Sequence, residues 1–96
     1  MSIKFEWNAE KAEKNYNKHE VTFEEAITIG NDEFAAFLDD PNHSHVEYRF
    51  IMIGYSNKNN LLFVSFTERN NIIRIISARK ATKHERKRHE ESKGYY

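Results

Sequence analysis

The chain has 96 residues, of which 39% are hydrophobic and 14% aromatic, and its formal net charge is zero. This size and composition indicate one modest globular core and exclude a disordered chain, which would contain fewer aromatic residues. The lack of cysteine excludes disulfides and thiolate chemistry, and the apolar stretches are too short for a signal peptide or a membrane span, so we expect a cytoplasmic protein.

The zero net charge hides an uneven distribution of charge along the chain. Acidic side chains outnumber basic ones by 12 to 7 in residues 1–70, whereas basic ones outnumber acidic ones by 8 to 3 in residues 71–96. Such a dipolar chain can present a basic surface to phosphates while its acidic part limits indiscriminate binding of nucleic acid. The alternative is that the basic segment is only a solvated helix.

The N-terminal part of the sequence predicts one strand followed by two helices. Residues 3–7 alternate between apolar and charged side chains, as in a short strand. Asn8 is placed to cap a helix over residues 9–18. Thr22 and Glu25 have the spacing of a capping box, in which the threonine oxygen accepts from the backbone N–H of the glutamate and the carboxylate reaches back. We therefore predict a second helix that runs to about residue 29.

From residue 34 onward the apolar pattern changes to that of β-strands, and short connections containing asparagine favour an antiparallel meander. The predicted strands are Phe34–Leu38, Val46–Tyr55, Leu61–Thr67 and Ile72–Ala78. Together these patterns predict a single α+β domain over residues 1–96, in which two N-terminal helices pack on an antiparallel β-sheet and a basic helix follows at the C-terminus.

The last predicted helix is almost entirely polar. Thr82 and Glu85 again have capping-box spacing, so the helix and its tail occupy residues 82–96. Because the helix has scarcely any apolar face, we expect it to be docked weakly or ordered by a partner or by RNA. His84 and His89 lie in this charged run, and we expect solvation to be their only role.

Three arginines in or beside apolar strands are candidates for binding an anion. Arg49 and Arg74 lie within predicted strands, and Arg79 follows the last of them. A guanidinium group is costly to bury unless it meets an anion, and its fork matches a phosphate. The alternative is that Glu47, Glu68 or a helix carboxylate neutralises these arginines.

Histidine is the side chain best matched to proton transfer near neutral pH. His19, at the end of the first predicted helix, is therefore a candidate acid or base, although a histidine there is often only a favourable partner of the helix dipole. Asp39, Asp40, His43 and His45 suggest a metal nuclease as an alternative. Their spacing matches no strong metal signature, so a polar loop explains them better.

The sequence resembles the BrnT family of type II toxins from Phe5 to about Arg88. The last of the shared motifs is the most specific, and all of them occur in the expected order. They are Phe5-Glu6-Trp7-Asn8, Asn15 with Lys18-His19, Val21-Thr22-Phe23-Glu24-Glu25-Ala26, Arg49 with Gly54, and Arg74-Ile75-Ile76-Ser77-Ala78-Arg79-Lys80-Ala81-Thr82 followed by Glu85-Arg86.

Two positions depart from the family pattern near the first helix. The family usually has Asp where Asn8 stands, which is an interchangeable cap. It usually has Gly where Glu20 stands, and a left-handed conformation at Glu20 would cost on the order of 1 kcal/mol relative to glycine.

The resemblance implies a RelE-like fold and an endoribonuclease that cuts RNA, either free or as ribosome-associated mRNA, without metal or cofactor and thereby inhibits translation. It also implies neutralisation by a BrnA-type antitoxin with a ribbon-helix-helix DNA-binding part. The complex would bind operator DNA through the antitoxin and repress its own operon. The alternative is a non-catalytic module, a degenerate toxin that binds only nucleic acid or antitoxin.

For cleavage, we expect Arg49, Arg74 and Arg79 to surround the scissile phosphate and His19 to transfer protons, since fixed cations stabilise the charge of a phosphorane-like transition state. A second set of basic side chains is expected to bind the flanking RNA backbone. That set is Lys18, Arg69, Lys80, Lys83, Arg86 and Lys87.

Overall fold

A five-stranded sheet and three α-helices make up the fold in the computed structural model, which describes residues 3–40 and 48–92. The described elements, in chain order, are β1 (Lys4–Glu6), α1 (Ala9–His19), α2 (Phe23–Ile27), a 3-10 turn (Thr28–Asn31), β2 (Ala36–Asp39), β3 (Phe50–Tyr55), β4 (Leu61–Arg69), β5 (Ile72–Lys80) and α3 (Lys83–Ser92). The α+β class is as predicted. Residues 41–47, which include the start of the predicted strand Val46–Tyr55, lie outside the described residues.

The strands are arranged in the order β1-β5-β4-β3-β2. Strands β2 to β5 form the predicted antiparallel meander. Strand β1 instead pairs with β5 in parallel, with Lys4 opposite Ile72, so the prediction of a purely antiparallel sheet is wrong at this edge. The short connections that favour hairpins apply only to neighbouring strands, whereas two helices and three strands separate β1 from β5.

Local hydrogen bonds set both ends of α1. The side-chain oxygen of Asn8 accepts from the backbone N–H of Lys11 at 3.0 Å, which confirms the predicted cap. At the other end Glu20 adopts a left-handed conformation with φ 58° and ψ 30°, and its N–H donates to the carbonyl of Tyr16 at 2.7 Å. Glu20 therefore carries the conformational cost that glycine would avoid.

Only half of the capping box predicted for α2 is present. The backbone N–H of Glu25 donates to the hydroxyl of Thr22 at 3.0 Å, as expected. The buried carboxylate of Glu25 does not reach back but accepts from the hydroxyl of Ser56 at 2.6 Å and the amide of Asn60 at 2.9 Å. These bonds tie α2 to the turn between β3 and β4, which compensates the burial of the carboxylate.

The hydrophobic core lies on one face of the sheet, where the segment from Val21 to Ile29 covers β3, β4 and β5. Trp7 adds an edge-to-face contact with Phe23 at 5.9 Å between ring centroids. The buried members of the core are Val21, Phe23, Ala26, Ile29, Met52, Leu62, Val64, Phe66, Ile75 and Ala78.

A β-bulge sets which face of the sheet the two arginines of β5 occupy. Ser65 pairs with Ser77 while Phe66 pairs with Ile75, so Ile76 is an extra residue on β5. Arg74 and Arg79 are five positions apart, and simple alternation would place them on opposite faces. The bulge restores both to the face away from the core, which we call the second face.

Helix α3 packs against the second face. His89 is only 2% exposed and its ring lies 6.0 Å from that of Tyr55, between centroids. The expectation that His89 is merely solvated is therefore wrong. Its imidazole ring packs against the sheet in the place where a helix normally has apolar side chains. His84 is exposed, as expected. No helix among the described residues is long and apolar enough to cross a membrane.

Candidate active site

A pocket of about 260 Å³ opens on the second face where α1, β3 and β5 converge. Four of its lining residues carry side chains that ionise, and we call it the arginine pocket. These four are His19, Asp40, Arg49 and Arg79. The remaining lining residues are Ile51, Phe63, Ser65, Ile76, Ser77 and Ala78.

The sheet register explains why Asp40 and Arg49 meet. Asp39 pairs with Phe50 at the last position of the β2–β3 ladder. The N–H of Asp40 then donates to the carbonyl of Arg49 at 2.9 Å, which extends the pairing by one step. Both residues therefore follow directly from the strand pairing and lie at the same end of the ladder.

Arg79 is held by α3. Its two terminal nitrogens donate to the two carboxylate oxygens of Glu85 at 2.8 and 2.9 Å, and its guanidinium carbon lies 4.7 Å from the centre of the Phe63 ring. The hydrogen bond to Glu85 raises the pKa of Arg79, and the hydrogen bond from Arg79 holds the pKa of Glu85 at about 2. The carboxylate thus fixes the position of the guanidinium and offsets much of its charge.

The Arg79 guanidinium still has donors for an anion. One terminal nitrogen also donates to the carbonyl of Lys80 at 3.2 Å, so three of its five N–H groups are accounted for. Glu85 completes the capping box predicted for the last helix, since it accepts from the N–H of Thr82 at 2.9 Å and donates its own N–H to the threonine hydroxyl at 3.1 Å. One carboxylate therefore both caps α3 and orients Arg79.

Arg49 differs from Arg79 in its surroundings. Its side chain is half-buried at the pocket, and within residues 3–40 and 48–92 no carboxylate forms an ion pair with it. It shares the pocket with the carboxylate of Asp40, which lines the same cavity. An anion in the pocket would be attracted by Arg49 as well as by Arg79.

His19 reaches the pocket because α1 is fixed to the edge of β5. The side-chain amide of Asn15 donates to the carbonyl of Ala78 at 2.8 Å and to that of Val21 at 3.1 Å, and its oxygen accepts from the N–H of Ala78 at 3.0 Å. Asn15 thus provides hydrogen-bond partners for both the N–H and the carbonyl of Ala78, which lies beyond the part of β5 that pairs with β1. His19 lies one helical turn further on, half-buried.

The structure does not bring Arg74 into the arginine pocket. Arg74 lies five residues before Arg79 on β5, roughly 16 Å along a strand. Its guanidinium forms an ion pair with the carboxylate of Glu6 on the neighbouring strand β1. The pairing alternative considered for the arginines therefore describes two of them. Arg79 pairs with the helix carboxylate of Glu85, as that alternative expected, and Arg74 pairs with Glu6, a carboxylate that the sequence did not point to.

The residues predicted to bind the RNA backbone are spread over several regions. Lys18 lines a groove that adjoins the pocket. The others do not line the arginine pocket. Arg69 ends β4, Lys80 ends β5, and Lys83, Arg86 and Lys87 are exposed on α3.

The residues of the alternative metal site do not form a cluster in the described part of the chain. His43 and His45 lie outside the described residues. Asp39 accepts a hydrogen bond from the hydroxyl of Tyr48, which raises the pKa of Tyr48, whereas Asp40 lines the arginine pocket. Within residues 3–40 and 48–92 no group of three or more His, Asp or Glu side chains is placed to hold a metal ion.

Comparison with protein families identifies the class. The family model described as "Ribonuclease toxin, BrnT, of type II toxin-antitoxin system" matches residues 7–85. The match covers most of the chain, which is therefore a ribonuclease toxin of a type II toxin-antitoxin system by family. The chain belongs to the BrnT family, and the resemblance seen in its motifs is confirmed.

The fold is similar to that of a solved family member. The crystal structure of the Brucella abortus ribonuclease toxin BrnT superimposes with a TM-score of 0.64 at 21% sequence identity, over 85% of this chain and 100% of that one. Comparison with curated protein sequences gives no match. The structural likeness supports the mixed α+β architecture with its five-stranded sheet.

Proposed function

We propose that this chain is a metal-independent endoribonuclease with a RelE-like fold, and that the arginine pocket is its active site. The observation that carries the proposal is the convergence of His19, Arg49 and Arg79. These side chains come from the end of α1, the residue directly before β3 and the end of β5, yet they line one pocket of about 260 Å³. A phosphodiester is the ligand class that such a set of basic groups fits best.

Cleavage would use the RNA's own 2′-hydroxyl as nucleophile. The 2′-oxygen forms a bond to the adjacent phosphorus while the bond from phosphorus to the 5′-oxygen breaks. A base removes the proton from the 2′-hydroxyl and an acid delivers a proton to the departing 5′-oxygen. The products are a 2′,3′-cyclic phosphate and a 5′-hydroxyl end, and neither a metal ion nor a cofactor takes part.

We assign the proton transfers to His19 and Asp40, the two pocket side chains able to exchange a proton. Arg49 and Arg79 stabilise the extra negative charge on the phosphorane-like transition state. Glu85 offsets part of the charge of Arg79, so Arg49 is needed as a second cation in the pocket. Arg74 stays a predicted contributor, but its position favours a contact away from the scissile phosphate.

Family membership supports an antitoxin partner for this chain. We propose that the partner is a BrnA-type protein with a ribbon-helix-helix DNA-binding part, that the complex represses its own operon, and that the toxin inhibits translation in the cytoplasm. Lys18, Lys83, Arg86 and Lys87 are proposed to contact the RNA backbone, with Arg69 and Lys80 as further candidates. Co-expression with the neighbouring small open reading frame tests this part, since a true antitoxin restores growth and co-purifies.

The activity test compares Arg49→Ala and Arg79→Ala with the wild-type chain. Each variant should lose about 2.7–4 kcal/mol of transition-state stabilisation, by analogy with the loss of one oxyanion donor, which is roughly a 10²–10³-fold slower cleavage. Lys58→Ala, in the exposed turn between β3 and β4, is the control and should cleave at the wild-type rate. Full activity in both folded arginine variants would reject the assignment.

Product chemistry separates this proposal from its rivals. A cyclic phosphate or 3′-phosphate end supports attack by the 2′-hydroxyl, and cleavage should continue in the presence of EDTA. A metal nuclease would be inactivated by EDTA. RNA that is retarded in a gel but stays intact would favour the non-catalytic alternative.

A further inference from the structure

A second groove of about 230 Å³ adjoins the arginine pocket. It lies between α1 and the middle of β5, and it shares His19, Ile76 and Ser77 with the pocket. Its other lining residues include Lys11, Lys14 and Lys18, and we call it the lysine groove. The two depressions therefore form one continuous surface.

The spacing of the three lysines places them on one face of α1. They are three and four residues apart, which brings them together on the helix surface. Asn15 lies among them and fixes this face to the edge of β5. The position of the lysines above the groove is thus set by a buried contact.

Among residues 3–40 and 48–92, no carboxylate lines the lysine groove. Lys14 forms an ion pair with Glu10 at 3.9 Å, and both side chains are more than three-quarters exposed, at 77% and 79%. An exposed pair one helical turn apart is weak and screened by salt. The groove therefore presents a row of ammonium groups, roughly 10 Å long from the helical rise between residues 11 and 18.

We infer that the lysine groove binds the phosphodiester backbone of the RNA strand next to the scissile phosphate. The inference rests on the proposed function, because it extends the same site along the substrate. Lysine is a point charge on a flexible stem and suits contacts with phosphates that carry no sequence information. Lys11 and Lys14, which sequence reasoning did not select, thus join Lys18 as RNA contacts.

The test measures binding of a single-stranded RNA dodecamer that carries 2′-O-methyl groups throughout, so that the 2′-hydroxyl cannot attack. The test variant is Lys11→Gln with Lys14→Gln, since glutamine preserves helix propensity while it removes the charge. The control is Lys4→Gln with Lys58→Gln, which removes the same charge at exposed positions outside both depressions. Circular dichroism checks that each variant is folded.

The test variant should bind the dodecamer roughly tenfold more weakly at low salt, and its slope of log K against log [KCl] should be less steep by roughly 1.4, which is about 0.7 for each phosphate that a lysine no longer neutralises. The control pair should keep the wild-type slope. A dinucleotide with one 2′-O-methyl-protected phosphate reaches only the pocket, so the test variant should bind it as the wild type does. A defect with the dodecamer but not with the dinucleotide would show that the lysines contact the RNA strand outside the pocket. A general reduction of positive charge would weaken the binding of both.

An unchanged slope in the test variant, or an equal change in both pairs, would overturn the inference. It would also be overturned if Lys83→Gln with Lys87→Gln on α3 reduced the slope and the α1 pair did not, because the strand would then run across the other helix. Cleavage of unmodified RNA is scored separately. Wild-type chain that binds the dodecamer through the groove but cuts no RNA would leave this inference supported and reject the catalytic proposal.

Discussion

Helices α1 and α3, which position His19 and Arg79 of the arginine pocket, are attached to the sheet by different kinds of interaction. Helix α1 is fixed by the buried, neutral amide of Asn15, which bonds to both backbone groups of Ala78. Helix α3 is fixed partly by an ion pair, Glu85 with Arg79, whose side chains are 25% and 40% exposed. The position of His19 should therefore be insensitive to pH and salt, whereas the position of Arg79 depends on the ionisation of a carboxylate.

Of the changes that test this comparison, removal of the Asn15 amide should have the largest effect on the free energy of unfolding. Asn15→Ala takes the partners away from the N–H and the carbonyl of Ala78, and the free energy of unfolding should fall by about 2 to 3 kcal/mol. Urea denaturation measures the loss, which should be the same at neutral and mildly acidic pH. Asn17→Ala, an exposed change on the same helix with the same gain in helix propensity, should leave stability almost unaltered. Equal stabilities of the two variants would contradict the role given to Asn15.

Replacement of Glu85 by glutamine should have a smaller effect. Glutamine can still serve in a capping box, so Glu85→Gln removes mainly the ion pair with Arg79. We expect a loss of about 1 to 2 kcal/mol after allowance for screening by solvent. Glu91→Gln, which makes the same charge change at an exposed position of α3, is the matched control. The assignment fails if the two variants are equally stable.

The same pair predicts how the stability difference depends on pH. Folding lowers the pKa of Glu85 from its ordinary 4.5 to about 2, so the folded state favours the ionised carboxylate. The contribution is complete above about pH 4.5 and is lost as the pH falls towards 2. The difference in unfolding free energy between wild type and Glu85→Gln should therefore be constant from about pH 7 to 5 and shrink below that. A difference that grew on acidification would have the wrong sign.

The comparison also shows which features could be predicted from the sequence. The caps at Asn8, Thr22 and Thr82 were predictable because each bond joins residues three positions apart. The bond from Asn15 to Ala78 spans 63 residues and the bond from Ser56 to Glu25 spans 31, so no local pattern indicates them. Contacts between distant parts of the chain determine which hydrogen-bond partners these side chains have.

The residues of the candidate site divide in the same way, into those that the sequence predicts and those that depend on the tertiary fold. His19, Arg49 and Arg79 were selected for their chemistry, and the fold brings them to one pocket. Arg74 was selected on the same grounds, but a parallel strand that the connection lengths did not predict supplies Glu6 as its partner. Asp40 was considered only as a metal ligand, since its place in the pocket follows from the register of β2 with β3.

The smallest expected effect concerns the residue that ends α1. Glu20 has a φ of 58°, and glycine adopts this conformation without steric cost. Glu20→Gly should therefore stabilise the chain by about 1 kcal/mol, less the entropy that glycine adds to the unfolded state. Asn17→Gly, within the helix, should destabilise it by a few tenths of a kcal/mol, and thermal unfolding of both variants measures the contrast. Opposite signs at positions only three residues apart would show that backbone conformation, and not composition, sets where α1 ends and hence where His19 is held. Destabilisation by both would mean that the Glu20 side chain contributes more than its strained backbone costs.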